Sequence, residues 1–172
     1  MKHAYKVLPI CLIVLGFVCP GCAPSSTAQL EENKALVRRC IDEMDKGNWA
    51  ILNEQLVARD YVYHMSGRPK PLTREESEQF ARAVRAAFPD GRMTVEDMIA
   101  EGDKVVTRYT SRGTHKGDFM GIPATGKKVV VTGIVISRIA EGKIAEDWEE
   151  FDALGFMQQL GAIPPIGNAG QE

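Results

Sequence analysis

The first 29 residues apart, apolar positions along the chain fall into two regimes: helical spacing up to residue 88 and alternation after residue 91. Leu36, Val37, Cys40, Ile41 and Met44 lie on one stripe of a helix that starts near Leu30 and ends at Gly47-Asn48. A second, short helix presents Trp49, Leu52 and Leu56 on one side. The β-branched and aromatic run Tyr61-Val62-Tyr63-His64-Met65 predicts a strand. A loop rich in Gly and Pro follows. Thr73-Arg74-Glu75-Glu76 then has the form of a capping box and opens a third helix, with Phe80, Ala81, Val84, Ala87 and Phe88 as its buried stripe.

From there the period is two. Strands are predicted over 92–100, 104–115, 128–139 and 144–151, joined by a tight turn at Glu101-Gly102-Asp103, a loop over 117–126 and a hairpin at Ala140-Glu141-Gly142-Lys143. A short amphipathic helix over 154–160 closes the domain before Pro164-Pro165. The order α-α-β-α-β-β-β-β, with helices first and successive strands after, predicts an α+β fold. Three helices would pack on a curved, mainly antiparallel sheet and leave a cavity for a small apolar molecule between the layers.

The N-terminal segment follows neither rule. Lys2 and Lys6 precede an unbroken apolar run over 7–18, which is shorter than the roughly 20 residues a membrane-spanning helix needs. A basic start, an apolar middle and small residues beyond make a secretory signal. Two cleavage points compete. Cys19-Pro20-Gly21-Cys22 resembles a bacterial lipobox, in which Cys22 would be lipidated and become the mature N-terminus. Ser26-Thr27-Ala28 is an A-x-A-like triplet for plain cleavage. The first gives a protein anchored by lipid to a membrane of the cell envelope, the second a periplasmic or secreted one. The chain then divides into a signal peptide (1–21), a tether (22–30), one domain (31–163) and a frayed tail (164–172). Loss of 1–21 removes two lysines and no acid, which takes the net charge from −2 to −4. No broad basic field is left, and nucleic acid is not an expected partner. Cys40 would be the one cysteine remaining besides Cys22, on an apolar helix face, where a small buried hydrophobe is the expected role.

The segment Gly113-Thr114-His115-Lys116-Gly117-Asp118-Phe119-Met120-Gly121-Ile122-Pro123-Ala124-Thr125-Gly126-Lys127-Lys128-Val129 resembles a characteristic stretch of SnoaL-like proteins. These are the polyketide (ester) cyclase group of the NTF2-like cone fold. Gly142-Lys143-Ile144-Ala145-Glu146-Asp147-Trp148-Glu149-Glu150-Phe151-Asp152 agrees, as does Asp60-Tyr61-Val62 with His64 at the end of the first strand. The resemblance runs from about Glu31 to Gly161. It implies the NTF2-like cone, a homodimer through the open sheet face (with Val129 and Val131 expected there), and an acid on the last strand acting as general acid/base in an intramolecular aldol ring closure. That acid falls at Glu149, where the cyclases carry Asp. A cyclase His on the preceding strand falls at Val135, and a polar residue of the first strand at Tyr63.

The residues themselves narrow this chemistry. If Ile139 faces Ile144 across the hairpin, then Ile134 faces Glu149 and Ile136 faces Asp147. Ala145, Asp147, Glu149 and Phe151 share one face of the last strand, and Glu146, Trp148, Glu150 and Asp152 the other. Which face lines the cavity stays open at this point. A carboxyl in an apolar pocket has a raised pKa, which suits proton abstraction beside a carbonyl. Glu149 is the first candidate and Asp147 the second. His64 is the candidate second proton donor, with titration near neutrality. Tyr63, Tyr109 and Trp148 are candidate walls for the substrate, with Val135, and either tyrosine could donate to an enolate oxygen. His115 is expected to hold the loop, and Asp152 to cap the last helix. His64 and His115 have no carboxylate at ligand spacing, so neither a metal nor another cofactor is expected. Gly121 to Lys128 nearly spells a phosphate loop but has Lys128 where Ser or Thr should stand, with a strand following instead of a helix. The competing reading is a non-catalytic binder or structural lipoprotein on the same scaffold.

Overall fold

The computed structural model of the chain describes residues 26–164. The proposed signal peptide, the Cys22 lipidation site and all of the tail except Pro164 lie outside the described residues. Helix α1 spans Thr27–Lys46. It begins earlier than its apolar stripe suggests, because the Ser26 hydroxyl accepts from the Gln29 N–H at 3.2 Å and caps it. Residues 27–30, expected in the tether, are therefore helical. Val37 and Ile41 are its buried centre, and burial of each such side chain contributes about 1.5–3 kcal/mol. Gly47 ends the helix at φ 75°, a left-handed conformation that glycine adopts without steric cost.

Helix α2 (Trp49–Ile51) runs directly into a π-helical turn, Leu52–Leu56, whose Leu52 and Leu56 are buried. Strand β1 (Val57–Met65) follows at once, four residues ahead of its expected start. The two-residue β2 (Leu72–Thr73) was not legible in the sequence. Thr73 also caps α3 (Arg74–Ala87), where both halves of the expected capping box form, Glu76 N to Thr73 Oγ1 at 3.3 Å and Thr73 N to Glu76 Oε2 at 2.8 Å. Strands β3 (Arg92–Glu101), β4 (Lys104–Thr114), β5 (Lys128–Ala140) and β6 (Lys143–Phe151) come next, and α4 (Ala153–Leu160) is last. Asp152 caps α4 as expected, accepting from Gly155 N at 2.8 Å.

The strands form one mixed sheet in the order β2-β1-β6-β5-β4-β3. The β1–β6 pair is parallel and the other four pairs are antiparallel. Three register shifts, between Val57 and Val62, Val95 and Asp97, and Arg138 and Ile139, interrupt the ladders. Such bulges bend strands and increase twist, as a cone requires. Two apolar cores form on the inner side. Val37, Ile41, Tyr61, Val105, Ile139 and Ile144 join α1 to the sheet. Ala87, Phe88, Phe119, Val129 and Leu160 join α3, α4 and the loop after β4.

That loop is held by His115, which is fully buried; its Nδ1 lies 3.1 Å from Thr125 Oγ1, and its ring stacks on Phe88. One expectation about parity fails. Val129 is 5% exposed and belongs to the second core, whereas Val130 and Ile134 are each 46% exposed. On β5 the even-numbered positions face outward, so Val129 and Val131 are not on the open face of the sheet.

Candidate active site

The inner face of β6 carries Asp147 and Glu149, two residues apart. The bulge at Arg138/Ile139 sets what they oppose. Beyond it, Ser137 pairs with Asp147 and Val135 with Glu149, one residue off the register expected from the hairpin alone. Ile134 therefore faces Glu150, not Glu149, and Ile136 faces Trp148. The expected grouping of Asp147 with Glu149 on one face is unaffected, because it depends only on alternation along β6.

β1 lies beside β6 in parallel, with Tyr63 opposite Asp147. Tyr61 and Tyr63 point to the same side as the two acids. Tyr61 Oη donates to Asp147 Oδ2 at 2.7 Å. Tyr63 Oη donates to Glu149 Oε2, and from β4 Tyr109 Oη donates to Glu149 Oε1. Both oxygens of Glu149 thus accept a phenolic hydrogen bond. Tyr109 reaches Glu149 by passing over Gly133, its register partner on β5. A Cβ added at Gly133 would stand 2.5 Å from Tyr109 Oη and 2.6 Å from Cζ, so any side chain there would displace the ring. Glycine inside a long strand is the sequence signal of such a close approach, and Gly133 was not singled out from the sequence.

The electrostatics follow from enclosure. Burial pushes the Asp147 carboxyl up to about 6 and the Glu149 charge adds to this, while Ser137 and Tyr61 oppose it. Burial, then the charge of Glu149, raises the tyrosines Tyr63 and Tyr109 far above the ordinary phenol value. Tyr61 is raised by burial and by Asp147. All three therefore stay protonated and act as donors. Cys40, on α1 above the acids, is pushed up to about 12 by burial and by Asp147, and is an unreactive thiol.

His64 and Trp148 take the other side. They are register partners on β1 and β6, and their rings stack at 5.3 Å and 7° on the outer face of the sheet. His64 Nε2 lies 2.9 Å from Glu146 Oε1, and Arg138 Nε donates to Glu146 Oε2 at 3.0 Å. The structure thus brings together Tyr63, Tyr109, Glu149 and Val135, and it separates His64 and Trp148 from them by the thickness of the sheet. The reason is alternation: His64 follows Tyr63 and Trp148 precedes Glu149, so neither can share their face.

Two shallow clefts lie on the β1–β2–α3 side of the molecule, and neither is lined by Asp147 or Glu149. One, of about 280 Å3, is lined by Tyr61, Leu72, Arg59 and Arg74 among others; the second, of about 340 Å3, by Arg68, Leu72, Glu76, Gln79 and Phe80. Leu72, the β2 partner of Tyr63, lines both. Among the described residues no group of three His, Cys, Asp or Glu is placed to hold a metal ion.

The comparisons with known proteins bear on the family and the fold. The sequence profile of the SnoaL-like polyketide cyclase family matches residues 34–160. Two curated cyclases, the aklanonic acid methyl ester cyclases DauD of Streptomyces sp. (strain C5) and DnrD of Streptomyces peucetius, are each 31% identical over 132 residues. That match covers 73% of this chain and 80% and 88% of theirs. Among solved structures, IdmH from Streptomyces antibioticus is 33% identical with a TM-score of 0.68, over 75% of this chain and 98% of that one. A SnoaL-like protein from Jannaschia sp. CCS1 is 24% identical with a TM-score of 0.73, over 81% and 99% of the two chains, and speaks for the fold alone. Matched by that profile over most of its length and folded as an NTF2-like cone, the chain belongs to the SnoaL-like polyketide cyclase family.

Proposed function

We propose that the chain performs cyclase-type general acid–base chemistry on a small, largely apolar carbonyl compound held between α1 and the inner face of the sheet. The observation that carries this reading is Glu149, an inward carboxylate bracketed by two tyrosine hydroxyls. In the resting site Tyr63 and Tyr109 stabilise that carboxylate. When a carbonyl compound enters, the same hydroxyls can turn to its oxygen, and Glu149 is released to take the proton from the adjacent carbon. Charge that develops on the enolate oxygen then meets donors already aimed at it. In a ring closure the enolate carbon attacks a second carbonyl of the same molecule, and the proton held by Glu149 goes to the new alkoxide. No proton is gained or lost overall. Val135 supplies an apolar wall opposite Glu149.

The test is Glu149→Gln, which keeps the shape and removes the base. Turnover of dicarbonyl compounds should fall by about 10²–10⁴-fold with binding retained. Unchanged turnover would remove Glu149 from the mechanism. One observation favours a second reading, a non-catalytic binder. His64 lies on the outer face of the sheet, so the site has Glu149 without an imidazole beside it. A wild-type chain that binds carbonyl compounds and turns none over would establish that alternative.

We further propose export with lipidation at Cys22, and a homodimer through the outer sheet face, where Val130, Ile134 and Ile99 are exposed. Mass measurement of the mature protein with and without globomycin tests the first; a mature chain that begins at Gln29 without lipid would refute it. Light scattering at micromolar concentration tests the second, and a monomer would refute it.

A further inference from the structure

Charge on the outer face of the sheet is ordered across the strands. β5 pairs with β4 on one side and with β6 on the other, and the two registers line up three rows that cross all three strands. The first row is Lys104–Arg138–Glu146 and the second is Val106–Ile136–Trp148. The third is Arg108–Ile134–Glu150. Residues opposed on adjacent strands point the same way, and the exposure of Ile134 and the stack of Trp148 on His64 put these rows on the outer face. Both charged rows run from a cation on β4 to an acid on β6. β4 holds no acid from Lys104 to Thr114, and β6 holds no cation from Ile144 to Phe151. Glu150 is exposed, and its carboxylate makes no ion pair among the described residues. Between the two charged edges the centre is apolar, with Ile134 exposed and Ile136 and Val106 partly so. A contiguous apolar patch with a polar rim is the form of a protein–protein contact.

We propose that the outer face binds a second copy of the chain about a two-fold axis parallel to β5, so that Lys104, Val106 and Arg108 of each copy face Glu146, Trp148 and Glu150 of the other. This rests on the reading of the outer face as a homodimer surface and adds its geometry. A two-fold axis along β5 keeps each row at its height on the strand and exchanges its ends. Every row therefore meets its own reverse. Arg108 faces Glu150, Lys104 faces Glu146, and β5 packs on β5 through Ile134 and Ile136. Two sheets packed face to face stand about 10 Å apart with their strands within about 30° of each other, which keeps the rows in register and lets opposed long side chains meet. An axis across the strands would instead lay β4 on β4 and β6 on β6, cation against cation and acid against acid. Specific interfaces avoid such like-charge contacts. The face thus selects an identical face over other apolar surfaces, because only its own copy carries the same rows reversed.

The test is charge reversal, with self-association of the purified full chain followed by analytical ultracentrifugation. Arg108→Glu alone brings acid against acid, and Glu150→Arg alone brings cation against cation, twice in each dimer. Each should weaken self-association by about 100-fold or more. An equimolar mixture of the two variants should pair with an affinity within about tenfold of the wild type, because each reversed residue then meets its opposite across the axis. The double variant should recover with itself in the same way. Arg108 also pairs with Asp97 of its own chain, and the mixture separates the two roles, since no substituted position there regains that pair. With the axis across the strands, Arg108→Glu would strengthen association by relieving β4 against β4. That result would overturn the proposal. So would single variants that associate like the wild type, or a mixture and a double variant that both fail to recover. In each of these cases a dimeric wild type leaves the homodimer reading standing. A wild type that stays monomeric at micromolar concentration sinks the homodimer and its axis together.

Discussion

Glu146 and Asp147 are consecutive residues of β6, and the two faces of the sheet move their carboxyls in opposite directions. On the outer face, hydrogen bonds from His64 and then Arg138 hold Glu146 below the usual carboxylate range. On the inner face, burial lifts Asp147 to about 6. The difference is not in the residue type or the local backbone. Outside, cations and water reach the acid; inside, it meets phenols, a thiol and another carboxylate. An acid that the fold stabilises serves the surface, and an acid that the fold penalises is retained where chemistry or binding can use it.

This contrast gives pH dependences of opposite sign. Asp147 has a folded value of about 6 against an ordinary 3.8. Below pH 3.8 both folded and unfolded chains hold its proton, and above 6 neither does. Between those values the folded chain holds a proton that the unfolded chain has lost, so stability falls as pH rises. The full swing is on the order of 3 kcal/mol. Urea denaturation from pH 4 to 7 should show this fall, and Asp147→Asn should remove it. A slope that persists in the variant would mean that the inner face does not penalise this acid.

The next effect in size probes the closeness of the inner packing. Gly133→Ala places a methyl group against Tyr109 and should destabilise by about 1–3 kcal/mol, as overpacking does. Gly133→Ala combined with Tyr109→Ala should recover part of that loss, since the ring that clashes is gone. Chemical denaturation of the single and double variants decides it; strictly additive losses would mean that the clash lies with the Glu150 carbonyl instead.

The smallest effect lies outside. Glu146→Gln breaks half-buried pairs with His64 and Arg138 at the rim of solvent and should cost about 0.2–1 kcal/mol at neutral pH. Because the Glu146 value is lowered, its contribution disappears as pH falls through the folded value, the reverse of Asp147. The cysteine offers a check without any variant: thiol-specific alkylation of Cys40 at pH 8 should be slow in the folded chain and fast in urea. Rapid labelling of the folded chain would show that the inner face is open to solvent.

The element order apart from β2, the capping box at Thr73 and the grouping of Asp147 with Glu149 were legible, because each depends on neighbours a few positions apart. The start of α1 was hidden because Ser26 reads equally as part of a polar lead and as a cap. The pairing of Val135 with Glu149 required knowledge of a bulge, and the sequence of the hairpin does not mark one. His64 was misassigned to the pocket on residue type. Strand alternation from Tyr63 already opposed that assignment, since neighbours in a regular strand point to opposite faces. The bond from Tyr61 to Asp147 was not legible, because the two stand 86 positions apart in sequence.

At the bulge, Ile144 and Ala145 are both buried although they are adjacent. Ile144 opposes Ile139 at the turn, and the next pair is Glu146 with Arg138, so one residue of β6 is extra. Were Ala145 to take a regular place in the ladder instead of bulging, the alternation begun at Ile144 would continue inward through Glu146 and Trp148, and Asp147 and Glu149 would point to water. Whether this strand presents acids or a tryptophan to the inner face is therefore a matter of counting, not of composition. Deletion of Ala145 would remove the bulge and yet leave Asp147 and Glu149 inward, since Glu146 would then follow Ile144 directly and take the outward place.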